Sequence, residues 1–244
     1  MAEQSFEPVV VAQDILDRFK KLPVATIWQH VMKDAGVPLP FMEDMILYTP
    51  GKRLAARART LRYLPPRPDL QAKILKGEDG PEYRAMARCG PGDVLVADMM
   101  GAKKACVFGD VKALQLKMSG AEGLVTDGGM RDLDVMEEEE YNLIVYARGR
   151  TPYASAPWAI PAEENGVIQC GGVLVQPGDV LVGDGDGVVV VPSWFAEACV
   201  GIVEEHEGVE AYIKKKIEAE GCTPGKYYPP TPEMWAEYRK SLDS

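Results

Sequence analysis

The sequence predicts an α/β fold with parallel strand pairings, and three observations lead there. Short apolar runs alternate with helix-spaced runs: "VLVAD" (94–98), "DVKALQLKMSGA" (110–121), "GLVTDGG" (123–129), "LDVMEEEEYN" (133–142) and "LIVYARG" (143–149) read strand, helix, strand, helix, strand. Turn chemistry opens strands, since "PGDVLV" occurs at 91–96 and again at 177–182. The flanks of the two copies diverge, so they read as two similar turn-to-strand entries rather than a duplication. Helical periodicity brackets this middle part, in residues 11–35 and 193–220.

In chain order, residues 11–35 carry Ile15, Leu16, Phe19 and Leu22 at helical spacing. Pro23 breaks the run, which predicts two short helices. "RLAARARTLRYL" (53–64) alternates and predicts a half-exposed strand. Residues 65–81 are rich in proline and charge, an excursion with a short helix around "DLQAKIL". The helix at 110–121 is expected to bury Val111, Leu114, Met118 and Ala121 and to stop at Gly120 or Gly123. "DGGMRD" is read as a glycine-rich turn after a strand, and "EEEE" (137–140) as a solvated helix face. Residues 1–220 are read as one domain and 221–244 as a Pro/Tyr-rich arm, which could clasp a neighbouring subunit or cover its own domain.

Composition narrows the function. The chain has 244 residues and a formal net charge of −10, which disfavours general nucleic-acid binding because phosphate contacts need a basic field. No apolar run approaches the roughly 20 residues of a membrane span, and no signal peptide is read at the N-terminus. Five cysteines, with no CxxC pair, predict free, mostly buried thiols in a reducing cytoplasm. Only two histidines, His30 and His206, argue against a histidine-rich zinc site and a Ser-His-Asp scheme, so any metal should be a hard ion on oxygen ligands, Mg²⁺ or Mn²⁺. There is no GxxxxGK[ST] and no GxGxxG. "GDGDG" (183–187) starts like a calcium loop, but its twelfth position is Phe195, so it is read as a strand-to-strand turn.

One stretch gathers charge. Gly109-Asp110 begins a helix, and Arg131-Asp132 follows twenty residues later, after the next strand. Helix starts attract anions, and ligands bind at the carboxyl ends of strands in α/β sheets. An arginine there can hold a carboxylate bidentately, and an aspartate can hold a hard cation. The bland alternative is a surface ion pair and an ordinary N-cap at Asp110.

This spacing, as Gly109-Asp110…Gly129-Met130-Arg131-Asp132, resembles the signature of the RraA-like family, with "GDVLVADMMG" before it and "GDGDGVVVVP" after it. The resemblance covers about residues 20–215. The family includes class II 4-hydroxy-4-methyl-2-oxoglutarate/4-carboxy-4-hydroxy-2-oxoadipate aldolases and regulators of ribonuclease activity. It implies an α/β/β/α sandwich resembling the phosphohistidine swivelling domain. It also implies a homotrimer or homohexamer with the site at a subunit interface. On that resemblance Gly109, Asp110, Val111 and Lys112 contact substrate, Arg131 holds a pyruvyl carboxylate, and Asp132 ligates Mg²⁺ or Mn²⁺. A neighbour's C-terminal helix would complete the metal's water shell, through Glu207 ahead of Glu204 or Glu205.

Departures fall at Asp98-Met99-Met100-Gly101, where the family is glycine-rich and where two methionines would narrow the pocket. They fall also at Gln29-His30, where an aspartate is usual, and at the arm beyond Gly221. The implied activity is metal-dependent cleavage of a 2-oxo acid to pyruvate, or oxaloacetate decarboxylation, with a water held by Asp110 or a neighbour's glutamate as base. A Schiff base on Lys103, Lys104 or Lys112 is disfavoured. The alternatives are another lyase or hydrolase on the same site, or a non-catalytic regulator.

Overall fold

The computed structural model describes residues 8–242. Pro23 separates α1 (Gln13–Phe19) from α2 (Val24–Asp34), as its fixed φ and missing N–H require. The short strands β1 (Phe41–Met42) and β2 (Ile46–Leu47) precede the long β3 (Leu54–Leu64). The excursion holds α3 (Pro68–Gln71) and leads into α4 (Pro81–Ala87). Then come β4 (Asp93–Asp98), α5 (Asp110–Ser119), β5 (Gly123–Met130), α6 (Leu133–Glu138) and β6 (Ile144–Arg150). β7 (Ile160–Glu164), the hairpin β8 (Ile168–Cys170) and β9 (Val173–Val175), and the hairpin β10 (Val180–Asp184) and β11 (Gly187–Val191) follow. The chain closes with α7 (Ala196–Glu220) and α8 (Pro232–Leu242).

The main sheet runs β1-β11-β10-β3-β4-β5-β6-β2, with β7 beside β3. β3, β4, β5 and β6 are mutually parallel, and the other pairings are antiparallel. The expected parallel order thus holds for the middle of a mixed sheet. Both "PGDVLV" segments enter strands that flank β3, one parallel and one antiparallel.

Strand alternation sorts the buried side chains into three cores. Leu181, Val188 and Val190 meet Val94, Val96 and Val125 in an inner core between two sheet faces, closed by the β8–β9 hairpin. Val180, Val182, Val189 and Val191 point outward onto α1, α2 and α7. Leu95, Ala97 and Leu124 point the other way onto α4, α5 and the loop before it. The layers are therefore α/β/β/α, because the sheet's two ends face each other across the inner core.

Three local expectations are corrected. β3 is not half-exposed: none of its residues is exposed, since it pairs on both edges and its Arg57 and Arg59 both pair with the buried Asp93. The inner face of α5 is Ala113 and Leu116, while Val111 and Met118 are 78% and 79% exposed. Two helix faces were available to the pattern, and packing against α4 and the sheet chose the smaller one. The glycines of "DGGM" lie inside β5, fully buried, rather than in a turn. A Cβ at Gly129 would stand 2.6 Å from Thr151 Cγ2, so this strand end accepts only glycine beside its neighbours.

Elsewhere the outline agrees. α5 ends at Gly120 in the left-handed conformation. "GDGDG" is the β10–β11 turn, and Glu137–Glu140 are exposed. The arm folds back on its own chain: Met234 of α8 is buried with Val209 and Ile213 of α7.

Candidate active site at the ends of β4 and β5

The loop leaving β4 passes through Ala105 to Phe108, all buried, and delivers Gly109-Asp110 to the start of α5. β5 ends at Met130 and delivers Arg131-Asp132 immediately afterwards. The two segments lie side by side because Cys106 bridges to Gly129 in parallel fashion. The predicted gathering of charge at one sheet edge is therefore present.

Gly109, not Asp110, is the N-cap of α5. Asp110 is the first helical residue, and its backbone N–H donates to Asp132 Oδ2 at 3.4 Å. The cap thus comes from another segment of chain. Arg131 Nε lies 3.3 Å from Asp132 Oδ2, but it is buried and makes no hydrogen bond. A Cβ on Gly109 would overlap Asp132 Oδ2 and sit 2.9 Å from Arg131 Nε, so only glycine admits this approach. Asp132 has φ 57° and ψ 23°, a left-handed conformation that costs a non-glycine residue of order 1 kcal/mol or more. Strain of this kind persists where surrounding packing enforces it.

Around these groups is a cavity of about 270 Å³. Gly109, Asp110, Val111, Lys112 and Arg131 line it, together with Tyr83, Cys106, Val107, Phe108, Ala154 and Ser155. Five of the residues named from the sequence thus line one cavity, and Asp132 stands at its edge. The Cys106 thiol donates to Phe108 O at 2.9 Å, and burial pushes its pKa up to about 11 against the opposing pull of Arg131. It stays protonated at neutral pH and is no nucleophile.

The other residues singled out from the sequence lie elsewhere in the chain. Met99 is fully buried in the core, Met100 is 39% exposed, and neither lines the cavity. The methionines therefore do not narrow it. Glu207 accepts from Thr26 Oγ1 at 2.5 Å, Glu204 pairs with Arg18, and Glu205 pairs with Arg239. All three engage helices of their own chain, away from the Arg131-Asp132 pair. His30 and His206 bond each other between α2 and α7, also on the far layer.

The sequence reading missed Tyr83, Ser155 and Glu82. Glu82 of α4 binds the Lys112 ammonium, and Tyr63 Oη donates to it at 3.4 Å. The Lys112 ammonium also sits 5.3 Å from the centre of the Tyr83 ring. Glu82 and Tyr83 lie 30 and 29 residues before Lys112 and Ser155 lies 23 after Asp132, and no local pattern in the sequence links them to the motif.

Fold and site together define an α/β/β/α protein with an arginine–aspartate pair at its strand ends. The family model described as RraA-like (Aldolase/RraA) matches residues 14–190, and the chain belongs to that family. A relative in Halalkalibacterium halodurans named "Putative 4-hydroxy-4-methyl-2-oxoglutarate aldolase" is 36% identical over 126 residues, 52% of this chain and 59% of that one. One of the same name in Hahella chejuensis is 36% identical, over 43% of this chain and 62% of its own length. These matches span less than two thirds of either relative. A solved structure from Pseudomonas syringae pv. tomato superposes with TM-score 0.76 at 25% identity, covering 93% of this chain and 97% of that one. Streptomyces coelicolor RraAS2, described as an unusual member of the RNase ES inhibitor RraA family, gives 0.74 at 28% identity, covering 84% and 98%. Among the described residues, no helix is long and apolar enough to cross a membrane.

Proposed function

We propose that this protein is a divalent-metal-dependent lyase that cleaves a 2-oxo acid and releases pyruvate, by retro-aldol cleavage or by decarboxylation. The observation that carries the reading is the Arg131-Asp132 pair held against the first turn of α5, with Arg131 and Asp110 lining one cavity. The aldolase names of the relatives support it.

The residues fit a hard cation. Among the described residues no group of three or more His, Cys, Asp or Glu forms a closed cage. The donors at hand are the carboxylates of Asp132 and Asp110, and Mg²⁺ is commonly held by one or two carboxylates with water and substrate completing its shell. Asp132 would hold the ion directly, and its side chain is 35% exposed and so open to solvent. When bound, Mg²⁺ or Mn²⁺ supplies an electrophile for the keto oxygen.

The remaining work falls to the chain. The Arg131 guanidinium, which lines the cavity and whose side chain is 37% exposed, is the donor for a substrate carboxylate. The N–H groups of α5 add positive potential at the same place. Asp110 holds the water that takes the C4 hydroxyl proton. The C3–C4 bond then breaks, C4 leaves as a carbonyl compound, and C3 takes a proton to give pyruvate. In decarboxylation CO₂ leaves in place of the carbonyl compound. A trimer or hexamer, with a neighbour's Glu207 facing the site, belongs to this reading, as does a cytoplasmic setting for the five free cysteines.

The test is pyruvate release from oxaloacetate and from 4-hydroxy-4-methyl-2-oxoglutarate with Mg²⁺, with Mn²⁺ and with a chelator. Release that stops with chelator supports the reading. Metal-independent release overturns its metal part, and no release from either acid moves the reading to another oxo acid and then to a binding role.

A further inference from the structure

The chain has two histidines, His30 of α2 and His206 of α7, and they meet on the helical layer away from the Arg131-Asp132 pair. Their side chains are only 10% and 12% exposed. His30 Nε2 lies 2.7 Å from His206 Nδ1. The outer nitrogens face carboxylates, His30 Nδ1 at 2.6 Å from Asp34 and His206 Nε2 at 3.4 Å from Glu210. A carboxylate only accepts, so each outer nitrogen must carry a hydrogen to satisfy it. The inner nitrogens of two neutral rings would then oppose each other as bare lone pairs, so one cation has to lie between them. A metal ion does not fit. Two nitrogens each about 2.0–2.1 Å from a tetrahedral zinc stand more than ~3 Å apart, and among the described residues no group of three or more His, Cys, Asp or Glu is placed to hold one. A proton fits the spacing. The four ring nitrogens therefore carry three hydrogens, and the rings share one positive charge.

The other groups around the pair come from three elements. On α2, Lys33 adjoins Asp34. On α7, Glu205 is held by Arg239 of α8 and Glu207 by Thr26, while Glu210 also faces Lys214 at 3.9 Å. Burial, with Asp34 adding to it, pushes the Cys199 thiol up to about 12, so it stays neutral. From the C-terminal arm, Tyr228 bonds Glu210, and the Trp235 ring lies 6.0 Å from His206 with the Arg239 guanidinium 5.6 Å from its centre.

A fourth hydrogen would set two N–H groups head-on at 2.7 Å, and one ring would have to swing out. The helices themselves are fixed, because Ile27 and Val31 beside His30, and Val203 and Val209 beside His206, are fully buried. α8 covers His206 through Trp235, and among its described residues only Met234 is buried, so it is the element least anchored there. A cavity of about 510 Å³ between α2, α7 and α8 gives a displaced ring room.

We propose that His30 and His206 form a proton-bridged latch, which holds the arm on α2 and α7 while the rings share one proton and releases α8 in acid, when both rings are protonated. The latch is separate from the lyase site, and its readouts do not depend on turnover.

The experiment uses the full-length protein labelled with ¹⁵N-histidine, in which only these two imidazoles report. At neutral pH three of the four ring nitrogens should be protonated, with coupling across the shared hydrogen between His30 Nε2 and His206 Nδ1. On titration from about pH 8 to about pH 5, the fourth N–H should appear together with a loss of about tenfold or more in amide-exchange protection over residues 221–242, corrected for intrinsic exchange, as expected for one charge-assisted bond. His30→Gln keeps a donor and an acceptor but takes no proton, so its arm should keep constant protection over the same range. Two or four N–H groups at neutral pH, arm protection that does not follow the fourth proton, or a folded His30→Gln whose arm still opens in acid overturns the latch. Equimolar Zn²⁺ that displaces the shared proton and shifts both rings also overturns it, in favour of a metal site. The wild-type titration decides alone if the variant does not fold.

Discussion

Asp132 occupies the space that a side chain on Gly109 would need. A methyl group there would overlap Asp132 Oδ2 and press on Arg131 Nε at 2.9 Å. The close approach lets one carboxylate accept from the first N–H of α5 while facing the arginine. Gly109→Ala should therefore displace both groups by a few tenths of an ångström or more. Misplacement on that scale costs up to about a hundredfold in rate. Pyruvate release should fall by that order with the melting temperature nearly unchanged, and a fully active Gly109→Ala would refute the assigned geometry.

Charge alone should not satisfy the Arg131 position. Arg131→Lys keeps the charge but loses the planar fork that matches a carboxylate. A loss of about one to two orders of magnitude in kcat/KM is expected, with a larger loss for Arg131→Ala. If lysine works as well as arginine, carboxylate recognition lies elsewhere.

The left-handed backbone at Asp132 separates stability from activity. Asp132→Gly relieves the strain at φ 57°, whereas Asp132→Ala retains it. Chemical denaturation should find the glycine variant more stable than the alanine variant by about 1 kcal/mol. Both should lose turnover. Equal stability would show that the strain is not expressed in folding.

A pH dependence follows from Glu164. The guanidinium of Arg88, aided by Arg84, holds its carboxyl below the usual range although burial pushes the other way. A carboxyl depressed in the folded state stabilises the fold above its unfolded value, near 4.5 for glutamate, and loses that contribution as pH falls through the folded value. Glu164→Gln should cost about 1 kcal/mol at neutral pH, and its melting temperature should converge with that of the wild type as pH falls through the folded value of Glu164. A constant gap between the two would remove the ionic explanation.

The two histidines make a structural pair. His30 Nε2 and His206 Nδ1 are 2.7 Å apart, and the outer nitrogens face Asp34 at 2.6 Å and Glu210 at 3.4 Å. Trp235 of α8 lies against His206, with ring centres 6.0 Å apart. His206→Ala strips His30 of a buried partner and should lower the unfolding free energy by about 2–4 kcal/mol. A denaturant midpoint within error of wild type would mean the contact contributes little.

Sequence alone determined the helix break at Pro23, the strand entries after both "PGD" turns, the stop of α5 at Gly120, and the placing of Asp110 and Arg131-Asp132 at one sheet edge. Those depend on φ restrictions, on periodicity and on the chain reversal that a helix between parallel strands imposes, all of which act over a few neighbouring residues. Tertiary structure decided the rest. It turned Val111 and Met118 outward, buried the glycines of β5, moved the methionines away from the cavity, and set Glu82 on Lys112. Each of these depends on which surfaces remain after distant elements have packed, and spacing along the chain carries no record of that competition.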